Sequence, residues 1–198
     1  MNSMLDVDLF VEDHGQQQLL RAIIDRVAAE LQCRLSIQER SAIGGHPRLA
    51  RELGIYQRAI EQGGIRNPDV LVIGWDANCK GKAAYDEVVS LLREPLKSNA
   101  VIACPEPHIE RWYMIDQVAF EKVVGPAPAI KQPKCEKSIY KSMLAQAAVD
   151  AGQVVALGGI EFAREIVAET DWYRAGKFDS SFKRFIDDLR GALKRCSR

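Results

Sequence analysis

The stretch that decides the fold is Asp69-Val-Leu-Val-Ile-Gly-Trp-Asp76-Ala-Asn78-Cys79-Lys80-Gly81. Its apolar run continues from Val70 to Trp75, interrupted only by Gly74, and it stops at Asp76. A short, unbroken apolar run between turn-forming residues is typical of a strand in a parallel sheet with both faces covered. Open α/β sheets bind ligands beyond the carboxyl ends of their strands, so Asp76 is a candidate site residue. Its alternative role is to cap a helix or close a turn.

Strands and helices alternate along the chain on both sides of this stretch. The residue patterns predict strands at 5–11, 34–40, 70–75 and 100–104, separated by helices at about 16–32, 47–62 and 82–92. Such an alternation predicts a parallel sheet with right-handed crossover connections. The predicted fold class is therefore α/β, with a parallel sheet of about four strands flanked by helices.

The pattern changes after the fourth strand. Residues 105–116 predict a tight turn and a short helix, and a proline-rich connection follows at 125–133. Three further helices are predicted at about 137–151, 159–169 and 180–195. We predict that residues 1–124 form the α/β domain and that residues 125–198 form a C-terminal helical extension packed on it.

Composition narrows the class of protein further. The chain has 198 residues, of which 47% are hydrophobic and 27% charged, which is enough to bury a full core. Its formal net charge is zero, so no overall attraction to nucleic acid or to an anionic membrane is expected. No apolar run approaches the roughly 20 residues that span a bilayer, and we predict no membrane association. The N-terminus also lacks the features of a signal peptide.

The cysteines bear on the cellular compartment. The chain has five, at positions 33, 79, 104, 135 and 196, and they form no Cys-x-x-Cys pair. An odd number without paired spacing argues against a zinc cluster and against a disulfide framework. These observations predict a protein of the reducing cytoplasm.

Oxygen-bearing side chains follow three of the predicted strands. Glu12 follows the first strand, Asp76 and Asn78 follow the third, and Glu110 comes after the fourth. If the first strand lies beside the third, these ends meet at one edge of the sheet. Carboxylate and amide oxygens suit a hard cation such as Mg²⁺ or Mn²⁺, which can polarise a phosphodiester and activate water. Walker A, Gly-x-Gly-x-x-Gly and nucleophile-elbow sequences are all absent.

Each candidate also has a purely structural interpretation. Glu12 is placed where acids complement a helix N-terminus, and Glu110 is placed where an i,i+4 ion pair can form. His14, His46 and His108 lack metal-site spacing and are interpreted as loop or packing residues. His108 lies beside Glu110 and is the best of the three as an accessory group.

Two of these motifs resemble a known family. Phe10-Val-Glu12 before a polar turn and a Leu-rich helix, together with a strand ending in Asp76-x-Asn78, resembles the Toprim domain of topoisomerases, primases and the OLD-type and RloB-like nucleases. In that family a Glu after strand one and an Asp-x-Asp after strand three hold Mg²⁺. The segment Pro105-x-Pro-His-Ile-Glu110-Arg-Trp112 is similar to a Glu-x-Trp stretch of compact Toprim-like proteins, many of them encoded beside ATPases in phage-defence loci. The resemblance covers residues 5–116 and extends more loosely over the rest.

The resemblance implies roles for individual residues. Glu12 would be a general base or metal ligand, and Asp76 would be the principal metal ligand. Glu110 would be a further acid at the rim of the site, and Asn78 would complete the metal ligands.

The chain also departs from the family pattern at three positions. Asp13 replaces the usual Gly, Gln16 stands in place of a later acid, and Asn78 replaces the second Asp. Amide oxygens can coordinate a hard cation but contribute no negative charge, so these departures should lower metal affinity. Asp13, as an accessory acid, could replace one of the lost charges.

A group of lysines is the candidate surface for nucleic acid. Lys131, Lys134, Lys137 and Lys141 run from the connection into the next predicted helix, with Tyr140 among them. Such a strip can bind a phosphate backbone. A solvated basic face is the alternative.

The sequence thus leaves three hypotheses. The first is a Mg²⁺-dependent or Mn²⁺-dependent nuclease that acts on DNA or RNA as a cytoplasmic phage-defence effector, with an ATPase or further copies of itself (a homo-oligomer) as protein partners. The second is a catalytically silent Toprim-shaped subunit that binds an ATPase partner or nucleic acid. The third is a receiver-like or flavodoxin-like domain phosphorylated on Asp76, which lacks the expected strand-end lysine after a fifth strand.

Overall fold

The computed structural model describes residues 4–42, 44–130, 135–136 and 138–196. Within these ranges a single parallel sheet contains four strands: β1 (Met4–Val11), β2 (Arg34–Ser41), β3 (Val70–Gly74) and β4 (Ala100–Ala103). Their order is β2-β1-β3-β4, so the first strand lies beside the third at the centre. The predicted α/β class with a parallel sheet of about four strands is confirmed. The described residues contain no fifth strand of the kind that the receiver-like hypothesis requires.

Ten α-helices occur in the described part of the chain. They are α1 (His14–Glu30), α2 (His46–Glu61), α3 (Lys82–Leu91), α4 (Leu96–Asn99), α5 (Ile109–Tyr113), α6 (Gln117–Val123), α7 (Ile139–Asp150), α8 (Ala163–Glu169), α9 (Trp172–Phe178) and α10 (Ser180–Cys196). The sequence patterns predicted all of them except α4, α6 and α9. Those three span seven residues or fewer.

Helices cover both faces of the sheet, which explains the unbroken apolar run of β3. Successive side chains of a strand point to opposite faces. Val70 and Val72 accordingly pack with residues of α1, α5 and α10, whereas Leu71 and Ile73 pack with residues of α2 and α3. Because both faces are buried, every residue of β3 is shielded from water, and the strand therefore lacks the polar residues that an exposed face would carry.

The helix α10 packs along the β4 side of the sheet and against α9. Its predicted apolar stripe is buried as expected: Phe182, Phe185, Ile186, Leu189 and Leu193. No helix in the described residues has both the length and the apolar character needed to cross a membrane.

Asp116, which follows α5, is hydrogen-bonded to residues at the start of α9. Its carboxylate accepts hydrogen bonds from Arg174 Nε at 2.6 Å, Arg174 Nη2 at 2.7 Å and the Asp171 backbone N–H at 2.8 Å. Burial opposes ionisation of this carboxyl group, but these hydrogen bonds outweigh that effect and lower its pKa. A lowered pKa means that the stabilisation is present above the ordinary carboxyl pKa and is lost as the pH falls through the folded-state value.

We therefore expect Asp116→Asn to weaken the acid sensitivity of the fold. Wild-type protein should lose more of its free energy of unfolding between about pH 5 and about pH 3 than the variant does, because the variant has no carboxylate to protonate. Urea unfolding at the two pH values measures this difference. An equal loss of unfolding free energy in the two proteins would show that Asp116 does not contribute to destabilisation by acid.

Candidate functional site

A cleft opens at the carboxyl edge of the sheet, beyond the ends of β1 and β3. It has a volume of about 550 Å³ and is lined by Glu12, Asp13, Gly44, Gly45, His46, Pro47, Asp76 and Asn78. Parallel strands deliver their ends to one edge, which is where open α/β sheets bind ligands. The structure thus brings together four of the predicted site residues from two distant segments: Glu12, Asp13, Asp76 and Asn78.

Gln16, in the first turn of α1, links the two carboxylates of the cleft. Its amide Nε2 donates hydrogen bonds to Glu12 Oε1 at 2.9 Å and to Asp76 Oδ1 at 3.0 Å. Its Oε1 accepts a hydrogen bond from the Glu12 backbone N–H at 3.1 Å. The Gln16 side chain is fully buried, so every polar atom of this amide is satisfied inside the protein.

Asp76 is held by further donors from the segment after β4. Its Oδ1 accepts a hydrogen bond from the Ile109 backbone N–H at 3.1 Å, and its Oδ2 lies 3.2 Å from His108 Nδ1. Burial is the main reason why the pKa of Asp76 is raised, and the charges of Glu12 and Asp13 raise it further. Lysine and arginine are absent from the described residues that line the cleft. The negative charge of the cleft therefore has no permanent cationic partner among its lining residues.

His46, the first residue of α2, lies in the same cleft. Its ring stacks on Trp75 with a centroid separation of 3.9 Å and an interplanar angle of 17°. Its Nε2 is 3.4 Å from Glu12 Oε1 and 3.4 Å from Asn78 Nδ2. The histidine spacing predicted only a loop or packing role for His46, because it does not reveal that the start of α2 faces the ends of β1 and β3.

Asp13 and Asn78 shape the backbone of the cleft. Asp13 is the N-cap of α1, and its Oδ1 accepts a hydrogen bond from the Gln16 N–H at 2.8 Å. Asn78 has φ = 48°, in the left-handed region, and its Nδ2 donates to the Asp76 carbonyl at 3.2 Å. The amide of Asn78 is thereby directed toward the residues that line the cleft.

The cysteine count argued against a disulfide framework, but the structure contains a disulfide at the edge of the cleft. Cys79, one residue beyond Asn78, is bonded to Cys135. The two are 56 residues apart in sequence, and a pairing across such a distance cannot be inferred from spacing. Cys33, Cys104 and Cys196 are not in a disulfide, so the odd count excluded a complete framework but not a single bond.

Glu110 does not lie at the rim of the site, as the resemblance implied. It is buried within α5, all of whose residues are buried, and it is not among the residues that line the cleft. Burial raises its pKa, as do the nearby charges of Asp76 and Asp13, whereas Lys141 lowers it. Lys141 is exposed on α7. Lys131, Lys134 and Lys137, the other members of the proposed basic strip, lie outside the described residues.

The residues present fit a divalent cation in their chemistry. Glu12 Oε2 has no hydrogen-bond partner among the described residues, and the adjacent Asn78 supplies an amide. A cation would also relieve the unfavourable burial of charge on Asp76. No group of three or more His, Cys, Asp or Glu side chains is already arranged around a metal position in the part of the chain that the structure describes. The site would therefore need Asn78, or water, to complete its ligands.

The fold and the cleft together define a class, an all-parallel, Rossmann-like α/β domain with an acidic cleft at the carboxyl edge of its sheet. Comparison of the chain with models of known families, with curated proteins and with solved structures gives no match. The function of the protein must therefore be inferred from the chemistry of the cleft.

Proposed function

We propose that this protein is a metal-dependent phosphodiesterase that cleaves DNA or RNA. The observation that carries the proposal is the convergence of Glu12 and Asp76 on one cleft without a lysine or arginine among its described lining residues. Glu12, Asp76 and Asn78 would hold Mg²⁺ or Mn²⁺, which would supply Lewis-acid activation of the phosphodiester and of water. The resemblance to the Toprim family supports the same chemistry.

Several residues of the chain would have distinct roles in this reaction. Glu12 Oε2 has no hydrogen-bond partner among the described residues and would be the oxygen that holds the cation. His46 and His108 each lie against one of the carboxylates. Lys134, Lys137 and Lys141 would hold the nucleic-acid backbone. Glu110 is buried in α5 and does not line the cleft, so it is not part of the proposed catalytic group.

We further propose that the protein acts in the cytoplasm as a defence effector, with an ATPase partner or as a homo-oligomer. The three cysteines that are not in a disulfide favour a reducing compartment. The Cys79–Cys135 disulfide would then be subject to reduction there. The defence context and the ATPase come from the Toprim resemblance alone.

A second candidate function is a catalytically silent subunit that binds an ATPase or nucleic acid. One observation favours it: the amide of Gln16 already bridges the two carboxylates that a cation would otherwise link. The neutral side chain at Asn78 also reduces the charge of the cleft. This candidate predicts that the isolated chain has no turnover and that it co-purifies with its partner.

Cleavage assays on the isolated chain separate the two candidates. Labelled single-stranded DNA, double-stranded DNA and RNA are incubated with Mn²⁺ or Mg²⁺, and parallel reactions contain EDTA. The nuclease proposal predicts cleavage of at least one substrate that requires the metal and is lost in Glu12→Gln. Absence of cleavage by the wild-type chain on every substrate would reject the nuclease proposal and favour the silent subunit.

A further inference from the structure

We propose that Gln16 limits the cleft to a single divalent cation by occupying the position between Glu12 and Asp76. This inference rests on the proposed metal-dependent function and specifies how many ions that function uses. Gln16 is assigned here as a positioning residue, because it contacts the two candidate ligands and not the substrate.

Counting acceptor sites shows which carboxylate oxygens remain for a cation. A carboxylate oxygen has two lone pairs. Glu12 Oε1 accepts from Gln16 Nε2 at 2.9 Å and from the Asp76 backbone N–H at 3.3 Å. Asp76 Oδ1 accepts from Gln16 Nε2 at 3.0 Å and from the Ile109 N–H at 3.1 Å. Both of these oxygens are therefore saturated by protein donors.

The orientation of the Gln16 amide is determined by its partners. The two carboxylate oxygens can only accept hydrogen bonds, so the amide NH₂ must face them. The remaining neighbour, the Glu12 N–H, can only donate, so the amide oxygen must face it. A flipped amide would lose all three hydrogen bonds, and the bridge is for this reason a fixed feature of the site.

Gly74 provides the space that this bridge needs. A Cβ atom built at Gly74 would lie 2.5 Å from Gln16 Oε1 and 3.0 Å from Leu20 Cδ1. Any side chain at this position would push the amide away from the carboxylates. The glycine that interrupts the apolar run of β3 is thus needed for Gln16 to reach both carboxylates.

The remaining acceptors suffice for one ion. They are Glu12 Oε2, Asp13 Oδ2 and Asp76 Oδ2, the last already shared with His108, together with the amide of Asn78. Sites with two ions hold them about 3.5–4 Å apart, as a clamp on both the attacking and the leaving oxygen. A carboxylate that bridges two such ions commonly offers one oxygen to each, and here none of the three acids has both oxygens uncommitted.

Titration calorimetry with MnCl₂ tests the inference without an activity readout. We expect one Mn²⁺ per wild-type chain and two per Gln16→Glu chain, because that variant replaces the bridging donor with a further carboxylate between Glu12 and Asp76. Gln18→Glu is the matched control, since it adds the same charge in the same turn of α1, and it should still bind one ion. Two ions bound by wild-type protein, none bound by it, or an unchanged stoichiometry in Gln16→Glu would overturn the inference.

Gly74→Ala keeps the test decisive if Gln16→Glu fails to fold. It displaces the amide without changing the charge, so Mn²⁺ affinity should fall about tenfold or more, as it does when a group that orients a metal ligand is lost. Unchanged affinity in a folded Gly74→Ala chain would overturn the positioning role. A wild-type chain that binds one Mn²⁺ but cleaves nothing would reject the nuclease proposal and leave this inference intact.

Discussion

Asp76→Asn is expected to lower Mn²⁺-dependent cleavage by about 10³-fold at saturating metal. Polarisation of the substrate by a bound ion contributes several kcal/mol to such reactions, and each 1.36 kcal/mol corresponds to about a tenfold change in rate. Asparagine keeps the size of the side chain and an oxygen that can accept from Gln16 and Ile109. The change removes the negative charge and replaces the oxygen beside His108 with an NH₂ group.

Two controls separate this effect from unfolding. Asp86→Asn removes an exposed acid of α3 that pairs with Lys82, and it should leave cleavage unchanged. In EDTA, Asp76→Asn should melt at the wild-type temperature or higher. Burial raises the pKa of Asp76, so ionisation of this group costs stability at all pH values above its ordinary pKa, and the neutral side chain removes that cost. Cleavage by the variant within tenfold of wild type would contradict the assigned role of Asp76.

Asp179→Ala is expected to lower the free energy of unfolding by about 3–5 kcal/mol, the usual cost of breaking a buried ion pair from one side. Arg111 Nη1 donates to Asp179 Oδ2, and the two side chains are only 6% and 3% exposed. Arg111 Nε has no hydrogen-bond partner among the described residues. Loss of Asp179 would leave the guanidinium buried and without its counter-charge.

The same substitution removes a helix cap. Asp179 Oδ1 accepts from the Phe182 N–H at 2.9 Å at the start of α10, and this contact adds to the expected loss. Urea denaturation at neutral pH measures the change. Asp187→Ala is the matched control on the same helix, because its ion pair with Lys183 is exposed and should contribute less than about 1 kcal/mol. Similar losses in the two variants would contradict the assigned importance of the buried pair.

The sequence was sufficient to predict the sheet because its signals are local. An unbroken apolar run at 70–75 indicates a strand covered on both faces, and the alternation of strands with long amphipathic helices indicates parallel pairing. The helices α4, α6 and α9 escaped prediction because tertiary contacts, such as those between Asp116 and Arg174, stabilise them more than any periodic pattern within them.

The site was only partly predictable for a related physical reason. Glu12 and Asp76 could be placed at one edge because each directly follows a strand. The bridge from Gln16 to Asp76 joins residues 60 positions apart and depends on the rotation of α1 about its own axis. One local signal was present, since Gln16 is a polar residue on the buried face of an otherwise apolar stripe. The burial of Glu110 likewise followed from packing around α5 and not from its spacing.

The most direct test of the central claim is an anomalous difference map from crystals soaked in MnCl₂. We predict one peak in the cleft, in contact with the side chains of Glu12 and Asp76 and adjacent to Asn78. A map with no peak in the cleft, from crystals in which Mn²⁺ is bound elsewhere and the cleft is open to solvent, would contradict the claim that these two acids form a metal site.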